Sequence, residues 1–207
     1  VDISGLWDQE VRRAGRRTIV DENRAIYWAL RLEGHQVDFV TDEDVARGVL
    51  ASRDYAILYI TSPCLSKAAQ ACVRSFVNIG GSLVLGLEAA SSDEANDMSV
   101  NLGDLTGSTR CSPAQVGPFA LHLAEGMLDP TLPPSGKFDH GLVVGPVGPL
   151  IPTATGVTTV ARFASPDGSD GGAAITMHTP TATSGRVWAY GFFGGLEHEH
   201  SMTTYDG

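Results

Sequence analysis

Residues 55–90 read YAILYITSPCLSKAAQACVRSFVNIGGSLVLGLEAA, a pattern that admits few folds. Residues 56–60 form a short apolar run of the kind a buried parallel strand requires. Ser62, Pro63 and Ser66 interrupt it, and Ser66 is placed to cap the helix that follows. Leu65, Ala69, Cys72, Val73, Phe76 and Val77 recur at helical spacing and give that helix one apolar face. Gly80 and Gly81 end it, because glycine takes the left-handed terminal conformation without strain. Residues 82–87 are a second strand-like run. Strand, helix and strand with short connections predict a right-handed βαβ crossover, the unit of an open parallel sheet. Ligands in such sheets bind beyond the carboxyl ends of the strands. That rule marks residues 61–66 and 88–93 as the places to look for chemistry.

The rest of the first half extends the alternation. Residues 1–7 predict a first strand, weakened by Gly5. Thr18-x-x-Asp21 resembles a capping box, and Ile26, Ala29 and Leu30 carry a helical stripe to Gly34. Residues 36–40 predict a strand, and Thr41-x-x-Asp44 opens a further helix ending near Leu50. Strands alternating with helices predict an α/β fold: a flavodoxin-like, doubly wound, mostly parallel sheet.

The second half differs. Residues 91–104 carry Asp93, Glu94, Asp97 and Asp104 among small polar residues, which predicts a surface loop or a broken helix. Residues 113–152 hold most of the 11 prolines, with a short helix expected within 115–127. Residues 158–163, 172–177 and 186–193 read as strands between turn-rich segments. They predict a β-rich, partly antiparallel C-terminal part at one side of the sheet. With no internal repeat and no long linker, residues 1–207 read as one domain. It divides into a βα core, 1–107, and a loop-rich segment with late strands, 108–207. The chain starts at Val1, inside a predicted strand and without an initiator Met, so it reads as a segment of a longer or processed protein.

A formal net charge of −10 argues against nucleic acid or an anionic membrane as a partner. No apolar run approaches the ~20 residues that span a bilayer. Cys64, Cys72 and Cys111 form neither a metal spacing nor an even disulfide set. A soluble, cytoplasmic setting is the resulting expectation.

Three segments carry a further signal in order: NRAIYWALRLEGHQVDFVTDED, DYAILYITSPCLSKAAQACVRSFVNIGGSLVLG and the late GRVWAYGFFG. Together they resemble the class I glutamine amidotransferase-like fold. More narrowly, they resemble the trimerisation domain of bacterial β-galactosidases and related glycosidase-like proteins. The resemblance covers residues 20–90 and 172–196 and is looser over 91–157. It implies where a nucleophile would stand. Glutamine amidotransferases place a cysteine at the tight turn after the strand corresponding to residues 82–87, activated by a histidine and a glutamate from a late loop. Here the turn reads Gly86-Leu87-Glu88-Ala89-Ala90, with Glu88 at the cysteine's place. The trimerisation-type relatives have likewise lost the nucleophile. The resemblance therefore implies a non-catalytic accessory or oligomerisation domain without a cofactor. Its partners would be further copies of the chain, as in a trimer, or a neighbouring glycosidase domain.

The residues themselves leave other chemistry open. Cys64 precedes a helix, whose dipole could ease its thiolate; the alternative is a small residue packed in a turn. Cys72 falls on the apolar face and belongs to the core. Glu88, with Asp93 and Glu94, could be a general base, a metal ligand or a hydrogen-bonded structural post. In Glu197-His198-Glu199-His200, an extended backbone would put His198 and His200 on one face, as zinc, nickel or copper sites use. Glu88 would be their third ligand if the two loops converge. Arg12, Arg13, Arg16 and Arg17 precede a helix start, where positive charge opposes the dipole. They are either compensated by Asp8, Glu10, Asp21 and Glu22 or form an ion-pair interface with another domain or subunit. Trp28 is expected in the core, although an exposed aromatic could stack on a sugar. A small hydrolase or metal-dependent enzyme and a sugar-binding module thus stand as alternatives to an assembly domain.

Overall fold

The structure, a computed structural model, describes residues 18–98, 101–111, 115–116, 118–124, 141–143, 146–165 and 167–195. The strand expected over residues 1–7 lies outside them. Helix α1, Thr18–Leu32, follows the predicted stripe, and Gly34 turns the chain away from it with φ +84°. The Thr41–Asp44 capping box forms in full, each partner satisfying the other's backbone N–H. It starts α2, Asp42–Ala46, and a left-handed Gly48 separates this from α3, Val49–Ser52. One helix was expected there, and the glycine divides it. Residues 36–40 form no strand pairing among the described residues, against expectation.

The crossover is present. Strand β1, Ile57–Ile60, pairs in parallel with β2, Ser82–Leu85, in the register Ile57↔Ser82 to Ile60↔Leu85. Helix α4, Lys67–Asn78, joins them, with Ser66 as its N-cap and Gly80 at φ +107° beyond its end. Its stripe buries Ala69, Val73, Phe76 and Val77 against Leu58, Ile60, Leu83 and Leu85. At about 2 kcal/mol for each large side chain, this burial is a main source of stability in the first half.

The remaining elements are short. Helix α5, Gly103–Thr106, leads into β3, Ser108–Arg110. There follow β4, Gln115–Val116; β5, Phe119–Leu123; β6, Gly141–Val143; β7, Pro146–Val147; and β8, Leu150–Pro152. The long late strands are β9, Thr158–Ala164, and β10, Asp170–His178, with β11, Val187–Tyr190, last. The helix expected within 115–127 is replaced by β4 and β5. Phe119-Ala120-Leu121-His122-Leu123 alternates, burying Phe119 and exposing His122, and period two is the mark of a strand.

The main sheet runs β1-β2-β11-β10-β9-β5-β6, with β3 and β8 attached beside β10. Among the described strands, parallel pairing is confined to β1, β2 and β11. From β11 onward every described pair is antiparallel. The sheet is therefore mixed: the late strands pair antiparallel, as expected of the C-terminal part, but parallel pairing is the minority where a mostly parallel sheet was predicted. The reason is local: β9, β10 and β11 are joined by short turns, and a short turn can only reverse a strand. A second core lies under these strands, where Phe163 meets Phe119 and Phe192 at ring distances of 5.8 and 6.0 Å.

Candidate functional site

The carboxyl ends of β1 and β2 each run into a tight turn. After β2, Ala89 N–H donates to Gly86 O at 3.2 Å, and Glu88 and Ala90 take left-handed φ values of +61° and +49°. Neither residue is glycine, and each such conformation costs about 1–2 kcal/mol. The cost is sustained because surrounding contacts fix the backbone. Ala90 N–H donates to Ser62 O at 2.7 Å, Ser92 N–H to Pro63 O at 3.0 Å, and Leu65 N–H to Ser92 O at 3.0 Å. Cys64 and Ser92 form a parallel bridge, with Sγ 3.2 Å from Oγ. The two candidate turns are thus one hydrogen-bonded unit.

Within residues 87–90, Glu88 alone is not buried. Its charge is met by Arg110, at the end of β3, whose pKa is lowered by burial to about 10 while Glu88 acts to raise it. Arg110 Nη1 donates to Ala89 O at 2.6 Å; its Nη2 is out of solvent with no hydrogen-bond partner among the described residues. A guanidinium remains charged at neutral pH, so burial makes a nearby carboxylate valuable. Arg110 fastens the strained turn to the β-rich half of the sheet.

Asp93 and Glu94, grouped with Glu88 in the sequence, serve the helix instead. Asp93 is 1% exposed and accepts from Ala95 and Asp97 N–H, both at 2.8 Å. It also pairs with Lys67 Nζ at 3.1 Å. The Asp97 N–H, then Lys67 and Ala95, hold its carboxyl below the ordinary range against the opposing effect of burial. Glu94 accepts from Lys67 N–H at 2.8 Å, Asp42 from Ser66 N–H at 3.0 Å, and Ser66 Oγ from Ala69 N–H at 3.2 Å. The amino end of α4 is therefore satisfied by the chain's own oxygens, and the dipole invoked for Cys64 already faces carboxylates. Cys64 touches a serine hydroxyl.

On the opposite face of β2, a cavity of about 170 Å³ lies between α1 and the carboxyl ends of β1, β2 and β11. Glu22, Tyr59, Thr61, Gly86, Tyr190 and Gly195 line it. Glu22 is 1% exposed and accepts from Gly195 N–H at 3.0 Å. Thr61 donates to Asn23 Oδ1 at 2.6 Å. Burial raises the Tyr190 phenol above its usual value, helped by the charge of Tyr59, whose own phenol burial also raises.

Sequence reasoning missed Arg110, and it read Glu22 only as a counter-charge for the arginine cluster, where the structure buries it under Gly195. Glu22 was legible, since it lies one turn before Ile26 on the apolar face of α1. Arg110 gave no periodic signal. Trp28 is exposed, not core; it meets Tyr27 edge-on, and Tyr27 stacks on Phe39 with centroids 5.5 Å apart. His198 and His200, with their neighbours Glu197 and Glu199, lie outside the described residues, as do Arg12, Arg13, Arg16 and Arg17. Among the described residues no group of three or more His, Cys, Asp or Glu could hold a metal. No helix among them is long and apolar enough to cross a membrane.

No family model matches the chain, and no curated protein matches it. Solved structures do. A catalytic mutant of Gan42B, a GH42 β-galactosidase from G. stearothermophilus, is 16% identical with a TM-score of 0.62. The match covers 95% of this chain and 27% of that one, so the chain spans about a quarter of that enzyme's length. The cytoplasmic protein STM1381 from Salmonella typhimurium LT2 is 13% identical with a TM-score of 0.54, over 84% of this chain and 75% of its own. A ThuA-like protein from Bacteroides uniformis is 12% identical with a TM-score of 0.59, over 91% and 85%. The likeness is one of fold.

Proposed function

We propose that this chain is a non-catalytic amidotransferase-like domain of a glycosidase-associated protein, serving assembly. The observation that supports this most is the turn after β2. It keeps the strained backbone that would present a nucleophile, yet carries Glu88, whose charge is met by Arg110. The neighbouring Cys64 turn is hydrogen-bonded to it and offers no base: among the described residues the Cys64 thiol meets Ser92. The fold shared with GH42 β-galactosidases supports the glycosidase setting. On this reading the domain joins copies of the protein, or packs beside a catalytic barrel, and needs no cofactor.

Sedimentation velocity of the chain across micromolar concentrations, with and without a separately expressed glycosidase barrel, tests the role. Self-association or complex formation is expected, together with no amidase, esterase or glycosidase turnover. A chain that stays monomeric and alone, with turnover abolished by Glu88→Gln or Cys64→Ser, would overturn it.

A further inference from the structure

A single exposed apolar side chain is ordinary, but a contiguous group of them marks a binding surface. Trp28, 57% exposed, and Phe39, 63% exposed, belong to such a group. Tyr27 joins them: it meets Trp28 edge-on and stacks on Phe39, with ring centroids 5.5 Å apart in both pairs. Leu32, 69% exposed, follows Trp28 by one helical turn and so shares its face of α1. Three linked rings and a leucine present an apolar surface on the order of 400 Å².

The backbone under these rings is fixed. Tyr27 and Trp28 stand within α1, and the residues on both sides of Phe39 are tied down. Asp38 accepts from the Tyr55 hydroxyl at 3.1 Å and from Arg53 Nη1 at 3.3 Å, and Thr41 closes its capping box with Asp44. A surface ordered before it binds loses little conformational freedom when covered. Its border is polar. Arg24 and Arg31 lie about one turn before and after Trp28 on the same face, with Arg31 Nη1 donating to His35 O at 3.4 Å. Glu33, His35 and Gln36, just beyond the helix, are exposed.

We propose that the Tyr27–Trp28–Phe39 surface binds carbohydrate, with a pyranose ring of an oligosaccharide lying on the Trp28 indole. A pyranose has a face of C–H groups and a rim of hydroxyls. It complements an aromatic floor with a charged border, because the rings take the C–H face and the border meets the hydroxyls. Charge disfavours a second copy of the chain as the occupant. In a two-fold pair the patch would meet itself, and with Trp28 near the axis the arginines beside it would face arginines. The net charge of −10 on each chain adds to that repulsion. The choice of a carbohydrate rests on the glycosidase setting proposed above. A flat platform binds weakly, so its use would be to hold an oligosaccharide close to a catalytic domain through several such contacts.

Titration of the isotope-labelled full chain, followed by its tryptophan indole N–H resonances, tests this. The probes are β-linked galactotriose, cellotriose and mannotriose. The Trp28 resonance, assigned by its absence in Trp28→Phe, should shift and saturate at millimolar concentrations of at least one probe, while that of Trp188 stays in place. Trp28→Ala should weaken binding by about tenfold or more, and Trp28→Tyr, which keeps a ring, by only about threefold. No shift of Trp28 with any probe up to about 50 mM would overturn the proposal. So would binding that Trp28→Ala leaves unchanged. A Trp28 shift that follows protein concentration alone would do the same, as the sign of a second copy on the patch. A chain that fails to self-associate yet shows a Trp28-dependent titration would refute assembly and keep the sugar site, so the two proposals fail separately.

Discussion

Substitutions at Glu88 separate its backbone role from its charge. Glu88 holds φ +61° and faces the buried Arg110 guanidinium. Glu88→Gln keeps the shape and the strain but removes the charge. Interactions with a charged group contribute roughly 1.5–3 kcal/mol, so a loss of about 2 kcal/mol is expected. Glu88→Ala loses the same interaction and keeps the strain. Glu88→Gly also loses it, but glycine adopts the left-handed conformation freely and recovers about 1 kcal/mol. The expected order of stability is wild type, then Gly, then Gln and Ala together. At about 2–4 °C per kcal/mol for a chain of this size, the glutamine variant should melt roughly 4–8 °C lower. A double-mutant cycle with Arg110→Met isolates the pair and should show a coupling of about 1–2 kcal/mol. Urea denaturation at neutral pH with unchanged m-values supplies the free energies. If Glu88→Gln is neutral or stabilising and the coupling is zero, Glu88 is not a structural post. A carboxylate kept at a strained turn without benefit to stability would then point to chemistry there.

Three further outcomes follow from the packing and the charges. Gly185→Ala would set a Cβ 2.0 Å from Gly81 O, backbone against backbone where α4, β2 and β11 begin or end together; a loss of about 3 kcal/mol is expected, seen as a lower urea midpoint. Leu83→Ala empties a fully buried position between α4 and the sheet and should cost about 2–5 kcal/mol, read from the same denaturation curves. Asp93 has its carboxyl pKa lowered from 3.8 in the fold, so its stabilising contribution is complete above that value and disappears as pH falls through the lower, folded value. Wild type should therefore lose melting temperature steeply below pH 3.8, and Asp93→Asn should start lower and decline less; equal slopes would refute the linkage.

Local chemistry and periodicity were enough for the elements around α4. Ser66 caps, Gly80 terminates, and the stripe from Ala69 to Val77 is buried as its spacing requires. The Thr41–Asp44 box was equally plain, because both partners lie within one turn. The turn after β2 that carries Glu88 could also be placed directly, by its flanking glycine and apolar run. These features depend on residues a few positions apart, and their energetics are local.

What tertiary structure decided is pairing over long separations. Nothing near Arg110 in the sequence marks Glu88, 22 positions earlier, as its counter-charge; folding β3 beside the β2 turn creates that relation. Asp93 and Glu94 look like partners of Glu88 because they are adjacent in sequence. The turn carries them instead to the amino end of α4, where the Lys67 ammonium pairs with Asp93 and the Lys67 N–H donates to Glu94. The mixed sheet has the same origin: each late strand was visible by its alternation, but period two carries no information on direction or neighbour. Strand order is fixed by which edges remain open once hairpins close and apolar faces are covered, a property of the whole sheet and of no segment in it.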